Sequence, residues 1–469
     1  MQGSVTDRGR IARRSIWLLL APVLLLASQV VAGSEDAVRF PDPKLEATIR
    51  DAIGQPNGDI LAEDLRELLV LDAEDQGITD LEGIQYCSEL RVVRLYRNRV
   101  VDLSPLARLT HLNTASLQYN LISDISALAR LSDLQTLNLS GNPIMDFHCL
   151  GGIEALQVLR LNDCDVEVID FLIGMNGLRE LYVEDNHICN IRPLEGLVNL
   201  VVLDLSGNRI DDIGYISALC ELERLNLSGN WIDDVEPLRG LSQLRHLNLW
   251  NCNIEEIEPL SRLTELTYLN LGSNRISQID SLSALRLLED LTLSRNNIVH
   301  LEGLSGMILL RDLDLGENGI ADIKPLEELV NLTELWLNDN QIRDIDCLSS
   351  LRGLETLCLN GNAVRDLGPL SQLANLTGIG LVRNQITDVK PLLENPGLGL
   401  EDVVYLRFNY LDVSPQSRDM RNISILEGRG VQVDYSGQID RVASLPQCNW
   451  AFLVAVAAAM VFFLYLRLR

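Results

Sequence analysis

Asparagine recurs along this chain at a fixed interval, and no other feature narrows the choice of fold as sharply. It stands at Asn98, Asn120 and Asn142, at Asn186, Asn208 and Asn230, and at Asn274, Asn296, Asn318, Asn340, Asn362 and Asn384. Every step is 22 residues or a multiple of 22. The two skipped positions hold Cys164 and Cys252, Gln76 occupies the position one step upstream, and Asn409 arrives 25 residues after the last regular one. Periods of roughly 20–50 residues mark one supersecondary unit stacked on copies of itself. A chain of 469 residues would otherwise suggest about three domains, but the register predicts one elongated array.

Each recurring residue type has a physical reason. In Leu203-Asp204-Leu205-Ser206-Gly207-Asn208 the two leucines alternate with a polar residue. Both therefore face inward from a short strand while Asp204 faces out. Strands of successive repeats pair in parallel. The chain then turns inward, and a buried Asn amide satisfies backbone groups that the turn leaves open. Stacked repeats make these amides a ladder, with cysteine as a weaker donor at two rungs. Four residues after the marker runs an acidic column: Asp80, Asp102, Asp124, Asp146, Asp212, Asp234, Glu256, Asp322, Asp344, Asp366 and Asp388. Proline recurs three residues further on, at 105, 193, 237, 259, 325, 369 and 391. Asp, an apolar residue and then Pro predict a capped, 3₁₀-like turn on the convex side. Carboxylates repeating at coil spacing also suit calcium, but local capping accounts for them, so no metal is expected.

The two ends carry targeting chemistry. Arg8, Arg10, Arg13 and Arg14 precede an apolar run from Ile16 to Leu26 and the small residues up to Ala32, which predicts a signal peptide over 1–32. The stretch Trp450 to Leu466 is apolar and is followed by Arg467-Leu468-Arg469. That pattern predicts a membrane helix over 450–466 with a cytoplasmic basic tail at 467–469, and hence an exported protein anchored in the cell envelope with its repeats outside. A helical N-terminal cap is expected over 33–70, with helices from Asp42-Pro43 and over Ala62 to Leu68. The repeats occupy 71–411. A C-terminal cap follows over 412–435, its helix opening at Ser414-Pro415 and its closing strand running from Val431 to Tyr435. Residues 436–449 read as a linker.

The repeat resembles that of the internalin-type leucine-rich-repeat surface proteins of bacteria. The resemblance covers Phe40 to Tyr435 and rests on Leu-x-Leu-x-x-Asn-x-Ile-x-Asp-Ile-x-Pro-Leu, present from Leu225 to Leu238 with Val235 for the second Ile. It implies an α/β leucine-rich-repeat solenoid, right-handed, with a parallel β-sheet on the concave face, 3₁₀-like turns on the convex face and helical caps. It also implies binding of an extracellular protein or glycan on the concave face, and no catalysis. Departures are the lack of an immunoglobulin-like module after the repeats and the C-terminal segment. Leu445-Pro446-Gln447-Cys448-Asn449 is similar to a sortase sorting signal, but with Cys448 where Thr is expected.

Chemistry-bearing motifs are absent from the sequence: its five His are not paired with a nucleophile, and no phosphate loop or zinc spacing occurs. We expect no enzyme and no cofactor. A formal charge of −27 argues against nucleic acid as a partner. Nine Cys, odd in number and scattered, predict free thiols. The outward strand positions carry two candidate binding clusters. One combines Arg94, Tyr96, Arg97 and Arg99 with Tyr119. The other sets Trp250 between Ser228 and Gly272, His246 beside Tyr268, and Asn226, Asn248 and Asn270 between these columns. Aromatic and Arg side chains dominate interface energetics, so recognition is the favoured reading. A structural envelope spacer or a regulator of a partner enzyme are the alternatives.

Overall fold

The computed structural model describes residues 37–439, which fall into two compact units divided between Ile188 and Cys189. The first unit opens with helix α1 (Pro43–Ile53) and carries six three-residue strands: β1 (Val70–Asp72), β2 (Val92–Arg94), β3 (Thr114–Ser116), β4 (Thr136–Asn138), β5 (Val158–Arg160) and β6 (Glu180–Tyr182). The second carries β7 (Val202–Asp204), β8 (Arg224–Asn226), β9 (His246–Asn248), β10 (Tyr268–Asn270), β11 (Asp290–Thr292), β12 (Asp312–Asp314), β13 (Glu334–Trp336), β14 (Thr356–Cys358), β15 (Gly378–Gly380), β16 (Val403–Tyr405) and β17 (Gln432–Asp434). Its helices are α2 (Lys390–Glu394), just before β16, and α3 (Arg418–Gly428), just before β17. Within each unit successive strands pair in parallel, and in the regular coils residue i faces i+22. Short 3₁₀ turns alternate with the strands throughout.

The core is aliphatic, as a composition with 5% aromatics requires. A single coil buries Leu225, Leu227, Ile232, Val235, Leu238, Leu241 and Leu244, each at most 1% exposed. Full burial of such a side chain is worth about 1.5–3 kcal/mol, so every coil contributes its own share of core. A lone coil would leave both stacking faces wet, and only neighbours close them.

The turn after each strand is the demanding part. The residue before the marker has positive φ in coil after coil, including non-glycines such as Tyr119 (φ 56°), Arg295 (56°) and Glu317 (54°). That conformation costs L-residues about 1–2 kcal/mol, and the asparagine beneath holds it. The Nδ2 of Asn230 donates to the carbonyls of Leu205 and Leu227, both at 2.9 Å, while its Oδ1 accepts from Ile210 N at 3.0 Å. One side chain thus joins two coils and its own turn. The same three-way pattern recurs at Asn98, Asn120, Asn142, Asn186, Asn274, Asn296, Asn318, Asn340 and Asn362. Asn384 donates to Leu359 O and accepts from Val364 N, and Asn208 donates to Leu205 O and Ser206 O. Cys164 and Cys252 keep the donor role, their thiols reaching Leu139 O at 3.4 Å and Leu227 O at 3.2 Å. They have no oxygen for the preceding coil, and the Ile144 amide turns instead to Asn142 O.

On the opposite side the acidic column caps the 3₁₀ turns from one residue outside the usual position. Asp102, Asp124, Asp234 and Asp322 each accept the amide two residues on, at 2.7–2.9 Å, and Asp388 does the same at the start of helix α2. Among the described residues no group of three or more His, Cys, Asp or Glu is placed to hold a metal ion. The eight cysteines of this region are all free.

Several expectations about the ends need correction. Residues 62–67 form successive turns and no helix: their backbone bonds close over three residues, Asp64 N to Leu61 O, Arg66 N to Glu63 O and Leu68 N to Leu65 O, and none continues into a helical ladder. Helix α3 starts at Arg418, not at Pro415: Ser417 is its N-cap, accepting Met420 N at 3.1 Å, while Ser414 is held by Asp412. The expected linker from 436 begins inside the last coil. Gln438 donates to Leu406 O and Tyr435 O, both at 2.8 Å, and accepts Leu411 N at 3.2 Å. These are the contacts of one more ladder rung, made by a longer amide.

The membrane anchor is corrected as well, and with it the anchored location. Among the described residues no helix is long and apolar enough to cross a membrane. Helices α1 and α3 have 11 residues each, about 16 Å at 1.5 Å per residue, against about 30 Å of hydrocarbon. The segments 1–32 and 450–466, on which the expected export signal and anchor rested, lie outside the described residues.

Candidate functional site

Strand pairing sets the outward side chains of the second unit in columns one coil step apart. The first column reads His246, Tyr268, Asp290, Asp312 and Glu334; the second reads Asn248, Asn270, Thr292, Asp314 and Trp336. Trp250 lies two residues beyond β9. In the first column the His246 and Tyr268 rings stack, with centroids 3.9 Å apart and planes 10° off parallel. Burial pushes the His246 pKa down, helped by Arg224, and burial pushes the Tyr268 phenol up. The stack is therefore one of neutral rings.

Trp250 is 43% exposed. A Cβ at Gly272 would meet its Cδ1 at 3.1 Å, so the indole leans over the one residue that leaves it room. The asparagine column is only partly available to a ligand. Asn226 Nδ2 donates to Asp204 at 3.1 Å, and its Oδ1 accepts from Ser228. The Oδ1 atoms of Asn248 and Asn270 accept the amides of Trp250 and Gly272. Sequence reading placed these amides between the aromatic columns, but not that each helps shape its own turn.

The basic cluster lies in the first unit. Tyr96 and Tyr119 meet edge to face at 5.7 Å, and Arg97 sits 5.8 Å from the Tyr96 ring centre. Arg94 turns towards Asp72, 3.8 Å away, so its charge is partly spoken for; Arg99 is exposed. Two further groupings were not singled out from the sequence. In the first unit Arg160 lies 4.4 Å from the Tyr182 ring centre while Glu180 accepts from both side chains. In the second, Asp290, Asp312, Asp314 and Glu334 gather next to the His246–Tyr268 stack. Their signal was present in the 22-residue columns, but acidic residues blend into a chain carrying 66 Asp+Glu. Burial, with Asp312, Glu334 and Asp314 adding to it, raises the Asp290 carboxyl to about 6.

Comparison with known proteins agrees with this architecture. The profile of the family described as "Leucine Rich repeats (2 copies)" matches residues 198–240, 242–284 and 308–352, all in the second unit. Among solved structures, an internalin (InlF) from Listeria monocytogenes is 27% identical, covering 80% of this chain and 96% of its own, with a TM-score of 0.54. A leucine-rich-repeat protein of Leptospira interrogans is 25% identical, covers 80% and 97%, and has a TM-score of 0.73. The functional domain of InlJ from Listeria monocytogenes, which includes a cysteine ladder, superposes with a TM-score of 0.68 at 22% identity, covering 82% and 87%. A sequence search of curated proteins finds no match. The fold of this chain is that of the leucine-rich-repeat proteins, and internalins are among its structural neighbours.

Proposed function

We propose that this chain is a non-catalytic recognition protein that holds a protein partner on the strand-bearing face of its second unit, with Trp250, His246 and Tyr268 as anchors. The observation carrying this reading is the half-exposed Trp250 seated on Gly272, with the His246–Tyr268 ring stack on the far side of the asparagine column. Three aromatic side chains on an open face add nothing to the aliphatic core, whereas a partner covering them would remove apolar area from water. Leucine-rich repeats are surfaces first, which supports binding over catalysis. The Tyr96–Tyr119–Arg97 cluster is a secondary contact region on the same reading.

The test pans a display library on the full chain and re-measures the selected binders on variants. Trp250→Ala should weaken them by about 2 kcal/mol, the scale of an interface hot spot, and leave stability within about 0.5 kcal/mol. Binders indifferent to Trp250→Ala, His246→Ala and Tyr268→Ala alike would overturn the reading. So would a large loss of stability in Trp250→Ala, since the indole would then be structural.

A further inference from the structure

The strand face from β9 to β13 combines two features that neither the fold nor the core requires. One is the aromatic set of His246, Tyr268 and Trp250, with Trp336 as the register partner of Asp314. The other is the carboxylate group Asp290, Asp312, Asp314 and Glu334, spread over three adjacent strands. Nearby acids outside this patch have cations: Glu317 bonds Arg295 at 2.9 Å and Glu289 lies 4.0 Å from Arg311. Among the described residues none of the four patch carboxylates is in an ion pair with Lys or Arg. Asp312 accepts from Thr333 Oγ1, and Asp314 accepts from Gly316 N and the Ser294 side chain, with Arg295 attracting it without forming an ion pair. The unit therefore holds like charges about one strand spacing, roughly 4.8 Å, apart with no ion pair to Lys or Arg among them, and such an arrangement opposes folding.

We propose that this face docks a cationic segment of a partner polypeptide, its Arg or Lys side chains reaching the carboxylates of β11–β13 while its backbone passes the aromatic anchors. The inference rests on the recognition reading above and supplies the partner's chemistry. Charge complementarity is the argument. An uncharged occupant would bury the four acids without relief, an anionic one would add repulsion, and a cation would turn the same repulsion into attraction. Asp290 to Glu334 spans two strand spacings, about 10 Å, the length of roughly three residues of extended peptide. Tyr268 at one edge and Trp336 at the other offer ring faces suited to guanidinium or ammonium groups.

The test uses the full chain and fluorescein-labelled eight-residue peptides of alternating Arg and Ser, Lys and Ser, Gln and Ser, or Glu and Ser. The Arg and Lys peptides should bind and the other two should not. The triple variant Asp290→Asn, Asp312→Asn, Glu334→Gln should weaken binding at least tenfold with an unchanged or higher melting temperature. A triple with the same charge change elsewhere on the unit, Glu195→Gln, Glu221→Gln, Glu328→Gln, should change it less than twofold. Equal loss in both triples would overturn the proposal by reducing it to bulk charge, and so would binding of the Glu peptide. Absence of cationic binding while display binders still depend on Trp250 would refute the cationic class and leave the recognition reading standing. If the display binders also ignore Trp250, both fail.

Discussion

At the scale of single residues, a buried amide is worth what it satisfies. Asn230 serves two carbonyls and one amide, so Asn230→Leu should cost about 1–3 kcal/mol through groups left unpaired, read by chemical denaturation. The cysteine rungs offer the reverse experiment. Ile210 N reaches Asn230 Oδ1, but the corresponding Ile232 amide faces a thiol at position 252. Cys252→Asn should therefore stabilise by about 1 kcal/mol, and a loss instead would show that the slot is too tight for an amide. Asp290 gives a titration. Its carboxyl is raised from 3.8 to about 6, by burial first and then by Asp312, Glu334 and Asp314. A raised folded-state pKa means stability that is fully present below about 3.8 and lost as pH rises through about 6. Asp290→Asn should thus raise the melting temperature at pH 7.5 and flatten its change between pH 4 and 6.5.

Elements in this chain are short, and what joins them carries as much weight as their own hydrogen bonds. The 3₁₀ turns stack so closely that a Cβ on Gly303 would lie 2.1 Å from Ile279 O. Gly303→Ala should force the coils apart and cost about 1–3 kcal/mol, the usual range for overpacking. Helix α1 is tied to the first coil by Asp42, whose one carboxylate accepts Lys44 N at the helix start and Thr79 N from the coil. Burial raises the Asp42 pKa, but the hydrogen bonds from Thr79, Lys44 and Asp80 outweigh it and hold the carboxyl below its ordinary value. The start of α3 was misread because Ser-Pro is a strong local signal. The Asp412 carboxylate occupies Ser414, which leaves Ser417 as the residue free to cap Met420 N.

For the molecule as a whole, the striking economy of a repeat is that each coil is stabilised by its neighbours, so an unfinished end is exposed to fraying. Gln438 supplies the final rung of the described residues by donating to Leu406 O and accepting from Leu411 N. Gln438→Ala should lower stability by about 1–3 kcal/mol, more than Gln432→Ala on the solvent side of β17. Equal melting temperatures for the two variants would show that the last rung contributes nothing.

The sequence by itself determined the repeat, its register, the aliphatic core and the Asn ladder, because a 22-residue period in side-chain type is also a period in space. Within each unit, Asn98 and its successors could be assigned a slot without coordinates. It also determined which residues face outward, hence His246, Tyr268 and Trp250. Only the tertiary structure decided what those residues do together: the ring stack, the indole resting on Gly272, and the carboxylates of β11–β13 left without an ion pair among the described residues. Those are relations between coils, fixed by side-chain rotamers and by burial that no single repeat encodes. The ends were legible only in part for the same reason. Gln438 stands 29 residues after Asn409 and is not an asparagine, so periodicity gave no sign of it, and it became a rung only because α3 brought the chain back to the stack.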